Sequence, residues 1–278
     1  MPPIATLRAH VESALGEHLS STLLLREKAA PLTVSTGLPA LDALTGGLPR
    51  GALSEITGPD SSGRTSVMLA ALARATCHDE ACALVDASDN FDPSSAAAAG
   101  VDLDRLLWVR CGKGERSSLH KNQRRTGLGC LEQVLKVTDL LLQGGGFGMV
   151  VLDLGDIPVA SARRVPLTSW FRFRRTVEPT ATVLLLIERE PCAKTCASLV
   201  VRLQRVMVCA RDAASVTGTE FHGWKVFSHT EPVIPPTNIV SHAALLRGMQ
   251  LRAEVERSWT QRKPMHSMDT CFELRTAW

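Results

Sequence analysis

From Leu32 to about Val208, short apolar runs alternate with amphipathic stretches. The runs Leu53–Thr57, Ala83–Asp86, Leu106–Arg110, Met149–Asp153 and Thr182–Glu188 are strand-sized and apolar through most of their length. Strands covered on both faces have this continuous form. Between them, Thr65–Thr76, Pro93–Ala99, Leu128–Gln143 and Thr168–Val177 read as helices. In the longest, Leu128, Leu131, Leu135 and Leu142 form most of one stripe. Strands and helices in alternation predict an α/β fold: a mostly parallel sheet with helices on both faces.

The ends of the chain read differently. Leu7, Val11, Leu15 and Leu19 recur at a spacing of four, which predicts a helix over Ile4–Leu25, closed off before Pro31. After Val200, Val201–Ala210 and Thr217–Phe227 read as longer antiparallel strands added at the C-terminal side. The tail from about Thr230 holds Pro232, Pro235, Pro236 and Pro264, a helix-like Ala243–Val255 and a possible last strand at Cys271–Trp278. The expected division is an N-terminal helical arm over 1–31, an α/β core over 32–229 and a partly helical tail over 230–278.

Composition narrows the class. With 278 residues, 45% hydrophobic and 21% charged, the chain is neither disordered nor collagen-like nor a coiled coil. No apolar run reaches the roughly 18–20 residues of a membrane span, and Met1–Arg8 lacks the apolar core of a signal peptide, so a cytoplasmic location without membrane partners is expected. A net charge of +3 is too mild to argue for nucleic acid by itself. The eight cysteines form no CxxC pair and read as reduced thiols.

The chemistry concentrates at Gly58-Pro59-Asp60-Ser61-Ser62-Gly63-Arg64-Thr65-Ser66, between a predicted strand and a predicted helix. That is the setting of a phosphate loop, where glycines let backbone N–H groups curl round a phosphate and a helix N-terminus faces it. Thr65 stands where a hydroxyl would hold Mg²⁺, and Asp153 ends an apolar strand where a carboxylate would orient that ion through water. ATP and Mg²⁺ are therefore the candidate cofactors. The usual loop lysine is replaced by Arg64, whose planar guanidinium cannot fill a lysine's slot between phosphates in the same way.

Two basic stretches are candidate DNA contacts. Arg163 and Arg164 precede Trp170-Phe171-Arg172-Phe173-Arg174-Arg175, which reads either as a stacking and phosphate-contacting surface or as a helix with its aromatics against the sheet. Lys113, Arg116, His120, Lys121, Arg124 and Arg125 lie in a polar loop before the Leu128–Gln143 helix and read as a mobile solvated loop sooner than as a specific site.

An ordered series of motifs resembles the RecA recombinase family across roughly Val34–Val208. The entry is Ser35-Thr36-Gly37, Leu41-Asp42 and Gly46-Gly47-Leu48-Pro49-Arg50-Gly51; the loop is Glu55 to Gly63; then come Val85-Asp86-Ala87, Asp92-Pro93, Gly100-Val101-Asp102-Leu103-Asp104-Arg105-Leu106-Leu107, Val150-Val151-Leu152-Asp153 and Ala197–Arg205. The resemblance implies a RecA-like P-loop NTPase core. It also marks departures. Ser88 stands where the family has the glutamate that polarises attacking water, and Arg189 where it has the glutamine that senses the γ-phosphate. Asp89 and Glu188 are the nearby acids left. The two DNA loops are short, Asp156–Pro166 and Arg189–Thr195. Among family members the chain resembles the ImuA/SulA-like accessory proteins of translesion synthesis. That implies a degenerate ATPase site, a role in the SOS response, a translesion polymerase such as ImuB as partner, possible self-association, and possible contact with single-stranded DNA. The alternatives are an active single-stranded-DNA-dependent ATPase and a P-loop switch unrelated to DNA.

Overall fold

The computed structural model describes residues 32–111, 127–210, 246–258 and 269–275. Thr33–Trp278 form one compact unit. Its strands are β1 Thr33–Val34, β2 Leu48–Pro49, β3 Ala52–Thr57, β4 Cys82–Asp86, β5 Leu106–Arg110, β6 Met149–Asp153, β7 Val183–Glu188, β8 Leu199–Ala210, β9 Leu246–Arg257 and β10 Asp269–Arg275. The helices are α1 Pro39–Thr45, α2 Arg64–Thr76, α3 Pro93–Ala98, α4 Gly127–Gly144, α5 Val159–Ala162 and α6 Leu167–Val177.

Among the described residues, eight strands form one sheet in the order β10-β9-β8-β3-β7-β6-β4-β5. From β8 to β5 every pairing is parallel. β9 and β10 then extend the sheet antiparallel. The α/β reading holds, and its reason is visible in burial. Every residue of β3, β4 and β7 is buried. One face packs Ile56, Leu84, Val151 and Leu185 against Val67, Met68 and Leu72 of α2. The other packs Leu53, Val150, Leu152 and Leu184 against Leu131 and Val134 of α4 and Trp170 and Phe173 of α6. Each such side chain taken from water contributes about 1.5–3 kcal/mol.

A small antiparallel pair, β1 with β2, precedes the sheet. Asp42 of α1 holds this entry by accepting from the Ser35 hydroxyl at 2.5 Å and from the Thr36 N–H and hydroxyl, each at 2.8 Å. α1 then ends on Gly46, whose φ of 75° is a left-handed cap.

Of the expected helix at Ala243–Val255, the described part, from Leu246 on, is a strand. β9 buries Leu251, Ala253 and Val255 and exposes Arg252 and Glu256, a period of two. β8 is antiparallel to β9, a segment expected to be helical, and parallel to β3. β9 and β10 thus belong to the core sheet although they lie in the expected tail. The expected helix Ile4–Leu25, the strand Thr217–Phe227 and the basic cluster from Lys113 to Arg125 lie outside the described residues.

The register matters most for chemistry. Thr57 sits opposite Glu188, Asp86 opposite Asp153, and Asp153 opposite Ile187. The carboxyl ends of β3, β7, β6 and β4 therefore share one edge. In open parallel sheets, ligands bind at that edge.

Candidate nucleotide site

Gly58–Ser66 leaves the end of β3 and turns into α2. Two glycines make the turn possible. A Cβ on Gly58 would lie 2.5 Å from the carbonyl oxygen of Leu203, and one on Gly63 would lie 2.3 Å from Leu251 Cδ1. Gly63 also holds φ at 86°, in the left-handed region. The loop is thus wedged against β8 and β9. The Gly58 N–H donates to the carbonyls of Glu188 and Arg189, both at 3.2 Å, which ties the loop to β7.

α2 begins at Arg64 without a side-chain cap. The first N–H groups of a helix have no partner within it, and they carry the positive end of its dipole. The Ser62 hydroxyl is buried without a hydrogen-bond partner, and Thr65 is exposed. These features fit a phosphate with a hydroxyl beside it for Mg²⁺.

Asp153 stands two strands away. Its Oδ1 accepts from the Gly155 N–H at 2.9 Å. Burial first, then repulsion from Asp86 and Asp156, raises its carboxyl to about 6, with Arg64 acting against the rise. A carboxylate crowded by others in this way is suited to a divalent cation.

Arg64 does not lie open to solvent. It is 8% exposed. Its guanidinium reaches the Gly155 carbonyl and Asp60, both at 3.4 Å. Arg189 arrives from the opposite side, donating to the same carbonyl at 3.0 Å and pairing with the same Asp60 oxygen at 3.0 Å. Two of the three positions that depart from the family pattern therefore meet on shared acceptors. Sequence reasoning named both arginines; it had no signal for their meeting.

The third departure lies elsewhere. The Ser88 and Asp89 N–H groups donate to Asp86 Oδ1 at 3.1 and 2.8 Å. Asp89 turns to Arg110 of β5, with which it forms two hydrogen bonds at 2.5 and 2.7 Å. The Arg110 hydrogen bonds hold its carboxyl below the usual range. Glu188 points into the sheet's α4/α6 side, 1% exposed. Neither acid is free to serve as a base for water.

The basic aromatic stretch is α6. Trp170 and Phe173 are fully buried on the sheet, edge to face at 5.9 Å. Phe171 stays 43% exposed. Arg172 pairs with Asp139 of α4 at 3.0 Å, and Arg163 pairs with Glu190, joining the two short loops. Arg164 and Arg175 are exposed, and Arg174 is half-buried. Packing against the sheet is thus the role of two of the three aromatics.

The comparisons with known proteins agree with this architecture. The family model of the RecA N-terminal domain matches residues 5–162. The chain belongs to the RecA family. The Protein RecA of Rickettsia canadensis is 30% identical over 202 residues, covering 67% of this chain and 54% of that protein. The Protein RecA of Cutibacterium acnes is 34% identical over 152 residues, covering 54% of this chain and 39% of its own length. That of Deinococcus radiodurans is also 34% identical over 152 residues, covering 54% and 37%. The chain spans about half the length, or less, of these RecA relatives. No described helix is long and apolar enough to cross a membrane.

Proposed function

We propose that this RecA-family chain is a DNA repair and recombination factor that binds Mg²⁺·ATP but turns it over poorly, acting as an accessory protein in damage-induced translesion synthesis. The observation that carries the reading is the pairing of Arg64 and Arg189 on Asp60 and the Gly155 carbonyl. Where a lysine would be drawn forward between phosphates, two guanidinium groups are held back by the protein's own acceptors.

The residues from Gly58 to Ser66 would bind the phosphates through backbone N–H groups. Thr65 and Asp153 would hold Mg²⁺, which supplies charge neutralisation at the phosphates. Activation of water is the missing part: Ser88 cannot act as a base at neutral pH, and Asp89 is already paired with Arg110. The accessory role and a translesion polymerase partner rest on the motif resemblance. DNA contact through Arg163, Arg164, Arg172, Arg174 and Arg175, with self-association, rests on family membership; fold alone does not assign function.

The test is a titration of a fluorescent ATP analogue with Mg²⁺, followed by capture of a purified translesion polymerase. Saturable binding, weakened at least tenfold in Thr65→Ala, and polymerase capture are expected. Deleting the tail would remove β9 and β10 from the sheet, so Val206→Asp and Val208→Asp, both at exposed positions of β8, are the better surface variants. Absence of nucleotide binding at millimolar concentration would refute the first half, and absence of capture by the wild type the second.

A further inference from the structure

Beneath the phosphate loop, on the α4/α6 side of the sheet, lies a cluster that the nucleotide reading does not use. Glu55 is in β3 and Glu188 ends β7, the strand beside it. Thr57 is the register partner of Glu188. With a side-chain period of two, Glu55 and Glu188 project from the same face, one step apart diagonally. The segment after β7 folds back over them and brings in Cys192. The three residues are 0%, 1% and 4% exposed.

One Glu55 oxygen is satisfied. Oε1 accepts from the Cys192 N–H at 2.9 Å and the Ala193 N–H at 2.7 Å. The other, Oε2, and both oxygens of Glu188 have no partner outside the cluster, only each other and the Cys192 thiol. A ligand atom from each of Glu55, Glu188 and Cys192 lies within 4.8 Å of the other two. Buried polar atoms without partners are rare, and each one calls for a physical cause. Here three carboxyl oxygens and a thiol have only one another.

Among the described residues, no basic side chain forms an ion pair with the cluster. Arg64 is engaged with Asp60 and the Gly155 carbonyl, and Arg257 donates to the carbonyls of Lys194 and Ala197. Taking even one unpaired carboxylate out of water costs several kcal/mol. Without a bound cation the cluster must therefore hold protons instead.

We infer that Glu55, Glu188 and Cys192 form a buried site for a thiophilic divalent cation, Zn²⁺ by its ligand class. A thiolate with two carboxylates suits zinc, which accepts sulfur and oxygen together in a four-coordinate shell. Mg²⁺ and Ca²⁺ need about six or more oxygens, which this pocket does not provide. Bonds of about 2.0–2.3 Å in a tetrahedron put ligand atoms about 3.3–3.8 Å apart. Side-chain shifts of about 1 Å close the present cluster to that geometry. The fixed Glu55 Oε1 orients the free Oε2, the kind of outer hydrogen bonding that accompanies metal ligands.

Metal binding here releases protons. Burial holds the Cys192 thiol and the Glu188 carboxyl well above their usual ranges, so the ion must displace protons from both. Its affinity therefore falls with falling pH. The ion joins β3, β7 and the segment 189–196, whose first residue, Arg189, pairs with Asp60 of the phosphate loop. Because all three ligands are buried, the ion enters during folding or when that segment opens.

The test uses the full-length protein refolded with one equivalent of Zn²⁺, dialysed and assayed for metal. One retained equivalent is expected. Refolding with Cd²⁺ should give an ultraviolet thiolate-to-metal charge-transfer band. Cys192→Ser should abolish that band, and Glu188→Gln should weaken zinc at least tenfold. Cys77→Ser, at an exposed free thiol, should change neither. A chelator should lower the Tm of the wild type and not that of Cys192→Ser. Folded wild type that retains no metal would overturn the inference and leave a proton shared between the two carboxyl groups as the balancing charge. A cadmium band that survives Cys192→Ser would overturn it as well. The decisive measurement of metal content uses the wild type, so a variant that fails to fold does not protect the idea.

Discussion

Replacing Asp153 with asparagine should make the protein more stable while removing its metal chemistry. The side chain sits at the carboxyl end of β6, opposite Asp86, and its carboxyl titrates at about 6 instead of the ordinary 3.8. The native state therefore holds this proton more tightly than the unfolded chain. Stability falls as pH rises from 3.8 through about 6, and the loss is complete above that. At about 1.4 kcal/mol per pH unit the penalty approaches about 3 kcal/mol at neutral pH; solvent at the strand end reduces it to about 1–3 kcal/mol. Asparagine cannot ionise, and its oxygen can still accept from the Gly155 N–H. At about 2–4 °C per kcal/mol, the Asp153→Asn Tm should rise by about 2–12 °C at pH 7.5. At pH 4.5 the advantage should shrink to about a third, because the native wild type is then mostly protonated. Thermal unfolding at both pH values checks this. A variant less stable than wild type at pH 7.5, or an advantage that does not shrink with acid, would refute the electrostatic account. Stabilisation by Mg²⁺·ATP should appear in the wild type and be lost in the variant.

Three further outcomes follow from the packing and the site. Gly63→Ala places a methyl 2.3 Å from Leu251 at a φ of 86° and should cost about 2–4 kcal/mol in urea unfolding, with the clash part relieved by Leu251→Ala. Trp170→Ala should cost about 3–5 kcal/mol, whereas Phe171→Ala, at a 43% exposed position, should stay within about 0.5 kcal/mol. Arg64→Lys, Ser88→Glu and Arg189→Gln together should raise ATP turnover at least tenfold while each alone does little, because phosphate contact and water activation are separate deficits; a single change that restores full turnover would contradict this.

The parallel core was legible because its strands are buried on both faces. Runs such as Met149–Leu152 carry no polar residue, and the helices between them have room for one reading only. The turn from β3 into α2 at Gly58–Ser66 was legible because its signal is local: two glycines at fixed spacing between a strand and a helix. The misreading of β9 also has a local cause. Leu246–Arg257 is rich in leucine, arginine and glutamate, good helix formers, yet Leu251, Ala253 and Val255 already alternate with Arg252, Glu254 and Glu256. The strand wins because it pairs with β8 and seats Leu251 against Gly63. What the sequence could not show is long-range. Cys192 meets Glu55 across 137 residues, and Arg64 and Arg189 reach the same carbonyl from separate strand ends. Nothing in the local pattern of either partner marks those meetings.

A purified-protein ATPase assay, run with and without single-stranded DNA beside Asp153→Ala, bears most directly on the claim of a nucleotide site without efficient hydrolysis. The account predicts turnover no higher than that of the mutant in either condition. Turnover that rises with DNA and disappears with Asp153→Ala would contradict it and make the chain a working DNA-dependent ATPase.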